Sequence, residues 1–106
     1  MNKPQRVILT AEVIVLPGNL ETVLKSASRC AIATRKEPGC EQYLLTTAQD
    51  RPGVVQFMEI FRSQEAFEVH ANAPHTRAFV QSLRGLVEGD APRLTFFVEV
   101  DVAASA

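Results

Sequence analysis

Two extended runs, CEQYLLTTAQ and VVQFMEIFR, sit next to each other in the middle of the chain with only Asp50-Arg51-Pro52-Gly53 between them. Proline presets φ and glycine admits positive φ, so the two runs are expected to close an antiparallel hairpin. The flanks narrow the fold further. Upstream, RVILTAEVIVL (residues 6–16) is rich in β-branched residues and alternates, placing Val7, Leu9, Ala11, Val13 and Val15 on one face. After Pro17-Gly18 the period changes to a helical one at Leu20, Val23, Leu24, Ala27, Cys30 and Ala31. Asn19 is the expected N-cap of this helix, and Arg35 and Lys36 suit the negative end of its dipole. Glu37-Pro38-Gly39 stops it, with Gly39 free to take a positive φ.

Downstream of the hairpin, Ser63 is placed to cap a short helix over QEAFEVHANA. Pro74 fits the first turn of a second helix, PHTRAFVQSLRGLVEG, which Gly89-Asp90 ends. The run RLTFFVEVDV (residues 93–102) alternates as a last strand. The order β-α-β-β-α-α-β is the split βαβ arrangement of ferredoxin-like α+β folds, a four-stranded antiparallel sheet with helices on one face. Right-handed crossovers leave few other layouts. We expect one domain with its core at about residues 6–101 and a loose C-terminal tail, since 106 residues suffice for a single core without disulfide or metal staples. Cys30 and Cys40 fit no CxxC or zinc pattern and read as small apolar residues.

One face of such a sheet is left without helices. Yet the strands carry apolar residues on both sides, as with Val54, Met58 and Ile60 against Val55, Phe57 and Phe61. A half-solvated sheet should be polar on its wet side. A homodimer that stacks sheet on sheet resolves the conflict, because a twofold interface lets one patch cover itself.

Eleven basic and twelve acidic residues give a net charge of −1 with no basic stripe, so nucleic-acid binding has no electrostatic support. The first residues, MNKPQR, lead into the first strand without a signal-peptide core, and no apolar run approaches the ~20 residues of a membrane span. A cytoplasmic protein that does not associate with membranes is expected. The chain carries no GxGxxG, P-loop or GxSxG pattern, so an enzyme built on it is expected to work without a cofactor.

Both histidines fall in EVHANAPHTRAFV (residues 68–80). His75 begins an apolar helical face that continues through Phe79, Leu83 and Leu86, and His70 also lies on an apolar side. Their separation of five, broken by Pro74, departs from the i,i+4 spacing of helical zinc sites and puts the rings on different segments; no metal is expected. Imidazole is nevertheless the side chain most easily tuned to move protons near neutral pH. Glu59, among the aromatics of QFMEIF, must be paired, protonated or open to a wet cavity, and is placed to orient a histidine. Phe57, Phe61, Phe79 and Tyr43 are candidate pocket walls, Tyr43 with a hydroxyl that can bond a phenolic or keto oxygen.

Glu37-Pro38-Gly39-Cys40 followed by Tyr43, then FMEIF with Glu59, then SQEAFEVHANAPHTRAF with His70, Pro74 and His75, resembles the antibiotic biosynthesis monooxygenase domain of small quinol monooxygenase-like proteins. The likeness runs from about residue 6 to residue 100. It implies a dimeric α+β barrel with a pocket between sheet and helices in each subunit. It also implies oxidation of a small phenolic, quinol or polyketide-like substrate by molecular oxygen without metal or flavin. His75 is then the candidate base, His70 and Glu59 its partners, and Tyr43, Asn72 and Arg77 substrate contacts. Some relatives isomerise small phosphorylated sugars, and others degrade haem with the help of a tryptophan, a residue this chain lacks. Also open are an isomerase of a small carbonyl or phosphosugar compound and a non-catalytic ligand-binding or stress-response dimer; Phe61 stands where the wider family often has tryptophan.

Overall fold

A computed structural model describes residues 5–106. In chain order it contains β1 (Val7–Ile14), α1 (Leu20–Thr34), β2 (Cys40–Ala48), β3 (Arg51–Phe61), α2 (Gln64–Asn72) and α3 (Pro74–Ser82). A 3-10 turn (Glu88–Asp90), β4 (Arg93–Phe97) and a short α4 (Val102–Ser105) follow. The strands form one sheet in the order β2-β3-β1-β4, every neighbour antiparallel. This is the expected ferredoxin-like α+β fold.

The strand periods place the faces correctly. Leu9, Ala11 and Val13 of β1 and Val55, Phe57 and Phe61 of β3 are buried against Val23, Ala27 and Ala31 of α1 and against Phe79 and Leu83. Ser63 caps α2 by accepting a hydrogen bond from the Ala66 N–H at 3.1 Å. Asn19 occupies the N-cap position of α1 but makes no side-chain cap. Arg35 turns away from the end of its helix and donates from Nε to the Tyr43 carbonyl at 2.9 Å, tying α1 to β2.

Several expected boundaries move. The hairpin turn is Gln49-Asp50, because Ala48 already pairs with Arg51. Thr47 pairs with Val55, so residues 52–54 are extra in the β2–β3 ladder, where Pro52 has no β2 partner, while Val54 still pairs with Ile14 of β1. Helix α3 stops at Ser82 instead of running to residue 89. Gly85 turns the chain at φ 76°, its N–H held by the Asp90 carboxylate at 2.8 Å. That turn returns Val87 to bridge Val15, and Leu83 and Val87 are both buried. The last strand ends at Phe97, and residues 102–105 of the tail expected to be loose form a helical turn capped by Asp101.

The helix-free face carries the apolar cross-strand row Ile60, Ile8 and Phe97 beside the row Leu44, Met58, Thr10 and Thr95. Leu44, Met58, Ile14 and Phe97 are exposed on it. Val98, Val100 and Val102, beyond the last strand, are exposed as well.

Candidate active site

Helix α1 ends at Thr34, and the chain turns through Glu37-Pro38-Gly39 into β2. Gly39 does not take the expected positive φ; its role is proximity. A methyl group at this position would overlap the Ala66 methyl of α2, so only glycine lets the loop lie flat against that helix. The close approach delivers the Glu37 side chain to His70 on the next turn of α2. Pro74 then starts α3 directly after α2, with Ala73 extended between them, and brings His75 to the same carboxylate.

Glu37 Oε2 accepts from His75 Nε2 at 2.6 Å and from His70 Nδ1 at 3.0 Å. The two rings lie 6.2 Å apart between centroids. Thus the proline does put the histidines on separate helices, but it does not separate them in space. His70 Nε2 faces Glu59 Oε1 at 3.6 Å, close but outside hydrogen-bond range. The four side chains grade outward: Glu59 is 4 % exposed, His70 5 %, Glu37 10 % and His75 26 %. Only His75 opens appreciably to solvent. Two surface cavities, of about 450 Å³ along α1 and about 880 Å³ between Arg6 and the C-terminal segment, do not touch this cluster.

The protons follow from the partners. A carboxylate is acceptor-only, so both histidines donate to Glu37, His70 from Nδ1 and His75 from Nε2. Burial depresses the basicity of His70, against the pull of Glu37, and favours the neutral ring, whose Nε2 is then an acceptor. Burial, reinforced by the charge of Glu37, raises the Glu59 carboxyl to about 8, so at neutral pH Glu59 is protonated and offers the matching donor. His75, donating from Nε2 to Glu37, leaves Nδ1 as its free ring nitrogen. When that atom takes a proton, Glu37 stabilises the resulting imidazolium, as the carboxylate of a catalytic triad does.

Aromatic rings fix the cluster. Phe61 stacks on His70 at 4.7 Å, Tyr43 meets the same ring edge-on at 5.4 Å, and Phe57 packs between Tyr43 and Phe79. The Tyr43 hydroxyl lies 3.8 Å from the Cys30 sulfur, and burial raises its pKa well above the phenol range. Asn72 and Arg77 are exposed and bonded to each other at 3.2 Å, at the corner between α2 and α3 beside His75. Cys30 and Cys40 are free thiols, as expected, both made less acidic chiefly by burial.

The sequence reading missed Glu37 as a member of this site. Its signal was present: an acidic residue three positions past a helix C-terminus opposes the dipole and asks for another reason to be there. The oxygen and two ring nitrogens of Glu37, His70 and His75 lie within 4.8 Å of one another, a donor set that can hold a metal ion.

The sequence profile of the family described as antibiotic biosynthesis monooxygenase matches residues 6–82. The chain belongs to the antibiotic biosynthesis monooxygenase family. All four members of the cluster fall inside the matched span. Among solved structures, a Shewanella oneidensis protein is similar at 25 % identity and TM-score 0.84, over 92 % of this chain and 93 % of that one. A Mycobacterium tuberculosis protein, Rv0793, is similar at 23 % identity and TM-score 0.84, over 92 % and 98 % of the two chains. A structure described as an antibiotic biosynthesis monooxygenase is similar at 22 % identity and TM-score 0.82, over 89 % and 98 %. The latter two likenesses establish the family's fold alone. No curated protein matches the chain.

Proposed function

We propose that the protein is a cytoplasmic, cofactor-independent monooxygenase that oxidises a small phenolic, quinol or polyketide-like substrate with molecular oxygen. The observation that carries this reading is the His75–Glu37 contact of 2.6 Å at the only opening of an otherwise buried cluster. His75 Nδ1 takes the substrate's proton while Glu37 holds the ring and offsets the charge formed. Loss of that proton leaves an electron-rich anion able to pass an electron to oxygen without help. A free phenol has a pKa of about 10, so a dry site that stabilises the anion is needed to match it to imidazole. For an anthrone-like ring the atoms balance with no added reductant. A CH₂ group gives up two hydrogens and takes one oxygen atom as a carbonyl, and the other oxygen atom leaves with those hydrogens as water.

In this reading His70 and Glu59 orient the cluster from behind and act through Glu37. Phe61, Phe57, Phe79 and Tyr43 form its apolar backing, and Asn72 and Arg77 are outer contacts at the entrance. The working form is a homodimer joined through the helix-free face, which covers the Ile60, Ile8 and Phe97 row. Among the described residues no helix is long and apolar enough to cross a membrane.

Oxygen consumption with a panel of hydroquinones and anthrones tests the chemistry. We expect turnover with at least one of them and a drop of about 10²–10⁴-fold in His75→Ala, the usual size of a lost general base. Undiminished turnover in that variant would remove His75 from the mechanism. Sedimentation at micromolar concentration is expected to give a dimer, and Met58→Glu, which puts a charge in the middle of the covered face, a monomer. A wild-type monomer would defeat the sheet-face argument.

A further inference from the structure

The geometry points to a second occupant of the same cluster: one divalent transition-metal ion, of the zinc class, held by Glu37, His70 Nδ1 and His75 Nε2. The inference goes beyond the proposed oxygenase chemistry. It rests on that reading only for its consequence, that the ion shuts the enzyme off by taking His75 Nε2 and the Glu37 carboxylate, so that Glu37 no longer offsets the charge formed when His75 Nδ1 takes the substrate's proton.

Four features of the cluster support it. Three donors of the type borderline divalent ions prefer, two imidazole nitrogens and a carboxylate, converge from three separate segments of the chain. Their atoms lie within 4.8 Å of one another, so a common ligand at about 2.1 Å from each requires the Glu37–His75 pair to open and the two ring nitrogens to sit no more than about 4.2 Å apart. The second carboxylate oxygen, Glu37 Oε1, is buried without a hydrogen-bond partner among the described residues, on a side chain only 10 % exposed. A buried acceptor left unsatisfied is costly, and a cation bound to both oxygens removes that cost.

The fourth feature is the outer shell. A metal-bound histidine almost always gives its remaining ring N–H to a carboxylate or carbonyl, which fixes ring orientation and raises basicity. With Nδ1 on the ion, His70 must carry its proton on Nε2, and Glu59 Oε1 stands 3.6 Å from that atom. Phe61 stacked on the ring keeps it aimed. His75, the most exposed of the three, provides the path from solvent. Three protein donors leave a fourth position for water.

Cobalt(II) serves as the probe, because it occupies zinc-type sites and absorbs visible light when bound to nitrogen and oxygen donors. Titration of protein first treated with a chelator should give absorption that saturates at one ion per chain and is displaced by zinc. Glu37→Gln and His75→Gln, both close in size to the original residues, should weaken binding by at least about a hundredfold. Glu59→Gln should weaken it by about 10–100-fold, the range for loss of an outer-shell partner. Circular dichroism confirms that each variant is folded; should Glu37→Gln fail to fold, the partly exposed His75→Gln carries the test alone.

No cobalt absorption at micromolar protein, or equal affinity in the wild type and His75→Gln, overturns the site. The shut-off is read separately. Oxygen uptake should fall in proportion to zinc occupancy and return on adding chelator; uptake unaffected at full occupancy overturns the inhibitory role. If no substrate is ever oxidised, the oxygenase reading fails while the cobalt titration still decides the metal site.

Discussion

Gly39→Ala is expected to lower the unfolding free energy by about 1–3 kcal/mol, the cost of forcing an extra methyl into a packed contact. The added methyl overlaps that of Ala66, a part of the α2 backbone turn that cannot move aside as a long side chain would. The loop must lift from the helix, and Glu37 lifts with it. Chemical denaturation measures the loss. Placing Ala66→Gly in the same chain should recover most of it, because the second change removes the atom the first collides with, and residues in contact are not additive. A midpoint unchanged in Gly39→Ala would mean that the loop has room the structure does not give it. The variant also tests function: withdrawal of Glu37 should weaken oxygen uptake before unfolding sets in.

The second large effect is on pH. Between the ordinary carboxylate value of 4.5 and its folded value of about 8, Glu59 holds a proton in the native protein that the unfolded chain has released. Its contribution to stability is therefore complete below 4.5 and is lost as pH rises through 8. His70 has the opposite sign. Its folded value is below the ordinary 6.5, chiefly from burial, so stability grows as pH rises toward 6.5. The two trends oppose each other below pH 6.5. Above it only Glu59 acts, and stability should fall by up to about 1.4 kcal/mol per pH unit. Urea unfolding of chelator-treated protein from pH 6.5 to 8 is the measurement. Glu59→Gln, uncharged throughout, should flatten the fall; an equally steep slope in that variant would place the proton elsewhere.

The sequence made the architecture legible because periodicity is local. Alternation in residues 6–16 and in VVQFMEIFR identified which side of β1 and β3 is buried, and hence that Glu59 faces the helices among Phe57 and Phe61. The cap at Ser63 and the helix start at Pro74 were legible for the same reason. The site was less so. Glu37 read as part of a helix stop because its partners lie more than thirty residues away and meet it only through the Gly39 contact with α2. The spacing of the histidines argued for separation, yet a tight helix-to-helix corner carries both rings to one oxygen. Gly85 had the opposite fate: an apolar rhythm ran through it, and the pull of Val87 toward β1 ended the helix earlier than the rhythm implied.

The layout of the fold has a consequence for how such a protein can change over time. Glu37, Glu59, His70 and His75 all precede the break at Gly85, whereas Leu94, Phe96, Phe97, Val98 and Val100, part of the exposed apolar surface, follow it. Of the surface the proposed homodimer would cover, Phe97 thus comes after the cluster in the chain, while Ile8 comes before it and Leu44, Met58 and Ile60 are interleaved with it. In the proposed homodimer, substitutions in the last stretch would retune how firmly the copies assemble while leaving Glu37, Glu59, His70 and His75 untouched.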